Sequence, residues 1–431
     1  MSIPKNYYRY GIAAEKKIFE EVPSSVEGFV LPAQLVIDQK DTICKWLNNI
    51  NKKFAIDPMT HVFFSKDCDI WNKNHDDFRR SYKKIREEYG EPYSALSTPD
   101  EKIDVSSVLD LTNPKHEMFM KSVISVINFQ LSFVRDSLDS EIAEMYSIAA
   151  EQGFSLGPGL ADYMANLKAC VIIPPYLFFK NTDTQEYQLN KLIWQKVKKD
   201  FSNEKIYTMI ATYDPLSFKD WDIVIQDLKG CCEGVILWFA QISELDSTPN
   251  QLIALRKVCN KLSNAGFKVC IHAGGAFSMG LGYDGVSVVS SGITYGESRP
   301  EELVIGGPVA QKYYVPELLN HYPKGDIMRI IASIPISCNN QCCSSVKNDF
   351  KAFEEHMFPR KKPESLSGPT YFTKLHHLHN FKKSVKDIWS STKEEGIEKL
   401  KKKKEEAALE LPSKYWGHLE TWIKVYEAPL E

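Results

Sequence analysis

Two short stretches of the sequence combine residue types that bind metal ions. SCNNQCCSSV holds Cys338, Cys342 and Cys343, and the later stretch KLHHLHNF holds three histidines. Thiolates and imidazoles are the ligands that zinc prefers, and a structural zinc site closes with four of them. The three cysteines and one histidine of the second stretch are therefore predicted to bind one structural Zn²⁺.

The spacing of the cysteines leaves the ligand set open. Cys342 and Cys343 are adjacent, and adjacent cysteines seldom both bind one ion. The alternative is that the histidines line an exposed helix and the cysteines are ordinary loop residues. The other adjacent pair, Cys231 and Cys232, leads into an apolar run and is expected to lie in the core.

The composition is that of a soluble globular protein. The chain has 431 residues, of which 43% are apolar and 25% charged, and its net charge of −3 neither favours nor excludes nucleic acid as a partner. No run approaches the ~18 apolar residues of a membrane span, and the start lacks the apolar centre of a signal peptide. Ten cysteines without such a signal are typical of a reducing compartment, so we expect a cytoplasmic protein that does not bind a membrane.

An alternation of apolar runs and amphipathic segments must position these residues. One such segment, 248–267, is predicted to be a helix because it has Pro near its start and Gly at its end. The runs occupy 28–38, 54–64, 169–179, 205–215, 233–243, 266–275, 284–297, 312–319 and 327–335. Near-continuous apolar strands favour a parallel sheet that is covered on both faces. Strand and helix repeated about eight times predict an α/β fold, specifically a closed (β/α)₈ TIM-like barrel. Nine runs exceed eight places, and either 28–38 or 312–319 is expected to lie outside the barrel.

The same patterns divide the chain into three parts. We expect an N-terminal segment, a barrel interrupted by a long helical insertion, and a zinc-binding helical C-terminal module. Their predicted bounds are 1–24, 25–335 with the insertion at 65–165, and 336–431.

Residues 268–298, KVCIHAGGAFSMGLGYDGVSVVSSGITYGES, resemble the tRNA-guanine transglycosylases. In that family a strand ending in Gly-Gly precedes a strand of the pattern DG…GGLSVGE. The counterparts here are Gly274-Gly275, Asp284-Gly285 and GITYGE. The family also has a CxCxxC cluster and a distal His-Asn after the barrel, and here His379-Asn380 follows the three cysteines. The resemblance thus implies His379 as the fourth zinc ligand.

The implied activity is base exchange in tRNA or, in a DNA-modifying branch, in DNA. An Asp carboxylate attacks the anomeric carbon of a nucleotide, guanine leaves, and a 7-deazaguanine base takes its place. The implied partners are nucleic acid, that base and a second subunit, identical or different. The residues expected to bind substrate are His272, Gly274, Gly275, Gly292, Ile293, Thr294, Gly296 and Glu297.

The sequence departs from the family at the catalytic carboxylates. The base motif DSGGFQ is replaced by TYDPLSF, where Asp214 could act as the general base. The nucleophile motif DCVxPTR is replaced by IASIPIS, which has no carboxylate. Asp57 in AIDPMTH is then the expected nucleophile, and we expect it to share one pocket with Asp214, His272, Gly292 and Glu297.

Two other functions remain open from the sequence. The missing motif favours a non-catalytic accessory or binding subunit of such an enzyme. The third alternative is an unrelated barrel enzyme that acts on a small sugar or phosphorylated substrate.

Overall fold

A curled parallel sheet of seven strands forms the centre of the computed structural model. The structure describes residues 3–11, 15–133, 168–293, 300–301, 311–359 and 370–430. The strands are β1 Lys5–Arg9, β2 Gly28–Pro32, β3 Lys53–Asp57, β4 Tyr207–Thr212, β5 Gly234–Phe239, β6 Lys268–His272 and β7 Val286–Ser291. Their order across the sheet is β3-β2-β1-β7-β6-β5-β4, and every neighbouring pair is parallel. All carboxyl ends of the strands therefore meet at one edge.

Helices occupy the connections and the C-terminal part. Before β4 they are α1 Glu15–Glu21, α2 Ala33–Asp38, α3 Lys40–Ile50, α4 Arg80–Tyr89, α5 Val105–Leu109, α6 Pro114–Ser132 and α7 Gln185–Asp200. After β4 they are α8 Trp221–Leu228, α9 Pro249–Asn264, α10 Ala276–Gly280, α11 Lys324–Ser333, α12 Gln341–Ser344, α13 Phe350–Met357, α14 Tyr371–Trp389, α15 Lys393–Glu410 and α16 Gly417–Glu427. None of the described helices has both the length and the apolar composition that a membrane span requires.

The prediction of a closed eight-stranded barrel is wrong, because the sheet is an open half-barrel with β3 and β4 at its edges. The run 169–179, expected to be a strand, lies irregularly between these edges. The Cys170 amide donates to the Phe54 carbonyl at 2.7 Å, and the Tyr207 amide donates to the Ile172 carbonyl at 3.0 Å. Two prolines follow in this run, and because proline has no N–H they prevent a regular ladder.

Two further elements differ from the prediction. The segment 1–24, expected outside the barrel, supplies β1, which lies between β2 and β7 in the middle of the sheet. The run 327–335, expected to be a strand, belongs to the helix α11. Its buried residues are Ile327, Ile330 and Ile331, a spacing that places them on one helical face.

Several predictions about elements are confirmed. The run 312–319 lies outside the main sheet, where β8 Lys312–Val315 pairs antiparallel with β9 Asn320–Pro323. The amphipathic segment 248–267 forms α9, which begins with a capping box between Thr248 and Gln251. Of the expected insertion 65–165, the described part up to residue 133 contains α4, α5 and α6, and residues 134–167 lie outside the described residues.

Arg256 forms a buried ion pair and also binds the end of the C-terminal helix α16. Arg256 of α9 donates from Nε to Asp284 Oδ2 at 2.8 Å, and their side chains are 0% and 2% exposed. The same guanidinium donates to the carbonyls of Val425 and Ala428 at the end of α16. Asp284 of the Asp-Gly motif thus has a structural partner.

We expect Arg256→Met to lower the free energy of unfolding by about 3–5 kcal/mol, because it leaves Asp284 as a buried charge without its cation. Urea unfolding of the full chain measures this change. Lys261→Met on the same helix is the matched control, since Lys261 is 43% exposed and pairs only with the exposed Asp222 among the described residues. Equal effects of the two substitutions would contradict the structural role of Arg256.

Candidate functional site

Asp57 ends β3 as a buried carboxylate with a fixed orientation. It is 1% exposed, and its Oδ1 accepts hydrogen bonds from the Tyr176 hydroxyl at 2.8 Å and from the Met59 amide at 3.0 Å. Met59 has a φ of 55°, a left-handed conformation that costs energy for a side chain of this size. Such strain is commonly found at functional sites, and here it turns the chain directly after the carboxylate.

Aromatic rings connect Asp57 to His272, which ends the distant strand β6. The His61 ring stacks on Tyr176 with centroids 5.3 Å apart and meets Trp238 edge-on at 4.9 Å. Trp238 in turn lies 5.1 Å from His272, which is 4% exposed. We call these five residues the carboxyl-edge cluster. Sequence reasoning missed His61, Tyr176 and Trp238, because they come from three separate apolar runs and no local spacing relates them.

Asp214 lies elsewhere, on the wall of a cavity of about 730 Å³ that Asp57 does not line. Its Oδ1 accepts from the Leu216 amide at 3.0 Å, and its carbonyl accepts from the Phe218 amide at 3.2 Å. Asp214 therefore closes a turn after β4. Aromatic rings connect Asp57 to His272, but Asp214, which was expected in the same pocket, does not join them.

The Gly274-Gly275 turn already binds a carboxylate of this chain. Glu244, which is 2% exposed, accepts from the Gly275 amide at 2.6 Å and from the Ser278 amide at 2.9 Å. A Cβ on Gly274 would lie 2.6 Å from the Ser278 side chain, so close packing requires glycine there. The turn was expected to approach substrate, and the structure instead gives the Gly275 amide an internal partner that the sequence did not reveal.

The remaining expected substrate residues follow β7. Gly292 is half-buried and Ile293 is 2% exposed within the apolar core. Thr294, Gly296 and Glu297 lie outside the described residues.

A buried cluster of three cysteines and one histidine could hold a metal ion. Cys338 precedes α12, Cys342 and Cys343 lie on α12, and His376 lies on α14. Their ligand atoms lie within 4.8 Å of one another. The Sγ atoms of Cys338 and Cys342 are 4.0 Å apart and those of Cys342 and Cys343 are 3.7 Å apart. Bonds of ~2.3 Å to a tetrahedral zinc place two sulfurs about 3.8 Å apart, so this spacing fits such an ion.

The fourth residue of the cluster is His376, whereas His379 was expected. His376 Nδ1 is 3.0 Å from Cys343 Sγ, and its ring stacks on Tyr313 of β8 with centroids 4.1 Å apart. His379 is half-buried and does not belong to the cluster. The choice follows from the face of α14 that packs on β8, which the sequence alone does not specify.

Hydrogen bonds with neighbouring groups orient the side chains of the cluster. His376 Nε2 lies 2.9 Å from the Tyr314 carbonyl oxygen. Because a carbonyl only accepts, Nε2 carries the proton and Nδ1 keeps the lone pair that binds a metal. Asn380 Nδ2 donates to Cys338 Sγ at 3.3 Å. Hydrogen bonds from the Cys342 and Cys343 thiols hold the pKa of Cys338 well below its usual range, so the cluster readily supplies a thiolate.

The comparisons with known proteins do not identify a family. No family model matches the chain, and a search among curated proteins finds no match.

Proposed function

We propose that this protein exchanges guanine for a 7-deazaguanine base in tRNA or DNA, with Asp57 as the nucleophile. The observation that carries the proposal is the carboxyl-edge cluster, in which an oriented carboxylate contacts Tyr176 and is connected through the rings of His61 and Trp238 to His272. The cluster is at the carboxyl ends of parallel strands, where enzymes with such sheets place their active sites.

The chemistry assigns the bond-forming step to the Asp57 carboxylate. Tyr176 and Met59 orient this carboxylate through Oδ1, and one of its oxygens forms a bond with C1′ as the bond from C1′ to guanine N9 breaks. The electron pair of that bond leaves with guanine, and His272 supplies a proton to the departing base. In the second half, N9 of the incoming base attacks C1′, loses its proton to His272, and Asp57 is released as a carboxylate.

Aromatic side chains suit the binding of a planar base in this reaction. Proteins that act on a base take it out of the helical stack and hold it between rings. Trp238 and His61 provide such surfaces beside Tyr176, whose hydroxyl contacts Asp57. Because Asp57 is only 1% exposed, neighbouring side chains must move aside to admit the nucleotide.

We further propose that the metal is zinc and that its role is structural. Three sulfurs and one imidazole are four protein ligands, and a zinc site closed by four such ligands has no open position for substrate. The ion would join α12 to α14 and so support β8, which packs on α14 through His376.

The burial of Asp57 favours a second candidate function, that of a non-catalytic accessory subunit. In that case the carboxyl-edge cluster would stabilise the fold, and a second subunit would carry the reacting carboxylate. The position of Asp214 in a separate cavity is consistent with this alternative.

Mass spectrometry of nucleosides from tRNA and from DNA tests the proposal. We expect cells that lack the protein to lose a 7-deazaguanine nucleoside from one of the two pools. Re-expressing the wild type should restore it, and re-expressing Asp57→Asn should not. Restoration by Asp57→Asn would support the accessory function, and unchanged nucleosides in both pools would contradict both functions.

A further inference from the structure

A cavity of about 310 Å³ lies inside the half-barrel and reaches the amino-terminal edge of the sheet, opposite the end that carries Asp57. Four exposed lysines line it at this edge, namely Lys5, Lys53, Lys205 and Lys268. None of the described residues that line the cavity is an Asp or Glu. The mouth of the cavity is therefore positively charged.

The first half of this mouth is built on β1, β2 and β3. Tyr7 is in register with Gly28, and Gly28 is in register with Lys53. A Cβ on Gly28 would lie 2.6 Å from the Tyr7 ring, so the ring lies directly over the glycine. Lys5 precedes Tyr7 by two positions and therefore faces the same side of the sheet.

The second half repeats this arrangement on β4, β5 and β6. Tyr207 is in register with Gly234, and Gly234 is in register with Lys268. A Cβ on Gly234 would lie 2.7 Å from the Tyr207 ring, and Lys205 again precedes the tyrosine by two positions. The two halves thus place four lysines and two tyrosines around one cavity, which indicates a shared role beyond packing.

The wall between the lysines and the interior is uncharged. Burial raises the pKa of Tyr7 and of Tyr207 above the usual range, and it raises the pKa of Cys270 to about 12. Glu27 and Glu233 precede the two glycines but do not line the cavity, and Glu27 pairs with Lys382 at 3.1 Å. The lysines are not neutralised by ion pairs with other described residues, so their charge is available to a ligand.

The inner end of the cavity holds a polar group that a ligand could satisfy. Ser290 of β7 lines the cavity, is 4% exposed, and its hydroxyl has no hydrogen-bond partner among the described residues. Buried hydroxyls are rarely left without a partner, because the missing bond costs free energy.

We propose that this cavity binds a small organic phosphate. Its phosphate group contacts the lysines at the mouth, its apolar or aromatic body lies against Tyr7 and Tyr207, and its inner end reaches Ser290. Lysine ammonium groups are common phosphate ligands, and a doubly charged phosphate suits several of them at once. The volume falls at the lower end of the range for small-molecule sites, which fits a compact ligand. Asp57 does not line this cavity, whereas His272, which transfers the proton in the proposed base exchange, lines its inner end in register with Ser290. The phosphate proposal rests on the lysines, the tyrosines and Ser290 and does not depend on base exchange.

Isothermal titration calorimetry of the full chain with phenyl phosphate tests the proposal. We expect saturable binding that weakens as salt is added, since the lysines are exposed and their charges are screened. Inorganic phosphate should bind more weakly, because it lacks the aromatic ring that contacts the tyrosines. Phenol should bind more weakly still, because it lacks the phosphate group that contacts the lysines. Absence of saturable binding of phenyl phosphate at millimolar concentration would overturn the proposal.

Variants show whether the binding occurs in this cavity. Lys53→Gln and Lys268→Gln should each weaken binding by about tenfold, the size expected when one charge-assisted hydrogen bond is lost. Ser290→Ala should also weaken it, while Lys402→Gln, at a lysine 77% exposed on α15, should not. Equal weakening by Lys402→Gln and Lys53→Gln would show binding by general charge alone and would overturn the site. Asp57→Asn should bind phenyl phosphate as the wild type does, which separates this proposal from base exchange.

Discussion

Asp57→Asn is expected to lower the rate of base exchange by on the order of 10⁴-fold or more, the size seen when an essential member of a catalytic group is removed. An amide cannot form the glycosyl ester through a negatively charged oxygen. The fold should persist, because the asparagine Oδ1 can still accept from the Tyr176 hydroxyl and the Met59 amide. Incorporation of radiolabelled guanine into tRNA and into DNA measures the rate, and thermal unfolding measures the stability.

Two other Asp→Asn substitutions serve as controls for this experiment. Asp222 is 83% exposed on α8, and its substitution should change neither rate nor stability. Asp214→Asn should lower the rate by less than about tenfold, because Asp214 closes a turn beside a separate cavity, whereas loss of a general base costs ~10²–10⁴-fold. A larger effect of Asp214→Asn than of Asp57→Asn would transfer the catalytic role to Asp214. Full activity of Asp57→Asn would exclude Asp57 as the nucleophile.

Local sequence patterns predicted those elements whose structure depends on local chemistry. The amphipathic spacing, with Pro near the start and Gly at the end, specifies the helix Pro249–Asn264, and near-continuous apolar runs specify buried parallel strands. The strand Lys5–Arg9 was missed because KNYYR alternates polar and aromatic residues and lacks such a run. The run 327–335 is apolar at both helical and strand spacings, and only its packing as Lys324–Ser333 decides between them.

Functional residues, like the helices and strands, were predictable from the sequence only where their signal is local. The cysteines at 338, 342 and 343 were predictable because they are close in sequence and of one chemical type. Glu244 and Tyr176 were not predictable, because each acts through a partner from a distant segment. The interruption of the sheet at 169–179 had a local signal that the prediction did not use, since Pro174 and Pro175 stand inside this otherwise strand-like run.

The histidine that completes the metal site provides the second test with a large expected effect. We expect the purified protein to contain one zinc per chain, and we expect His376→Ala to lose most of it. His376 is fully buried and its Nδ1 faces Cys343 Sγ, so alanine removes a ligand that no described neighbour replaces. His379→Ala on the same helix is the matched control and should keep its zinc, since His379 lies outside the cluster. Elemental analysis of the three proteins measures the metal content.

Loss of the metal should unfold the C-terminal part before it affects the sheet. Structural zinc sites contribute binding free energies of about 10–16 kcal/mol to folding, which far exceeds the stability of a short helix such as Gln341–Ser344. Hydrogen exchange after chelation should therefore increase first in that helix and in the adjacent turn of Tyr371–Trp389, while β4 and β5 stay protected. If His376→Ala keeps its zinc and His379→Ala loses it, His379 is the fourth ligand, as the resemblance implied. A wild type without stoichiometric metal would mean that hydrogen bonds among Cys338, Cys343 and His376 hold this cluster together by themselves.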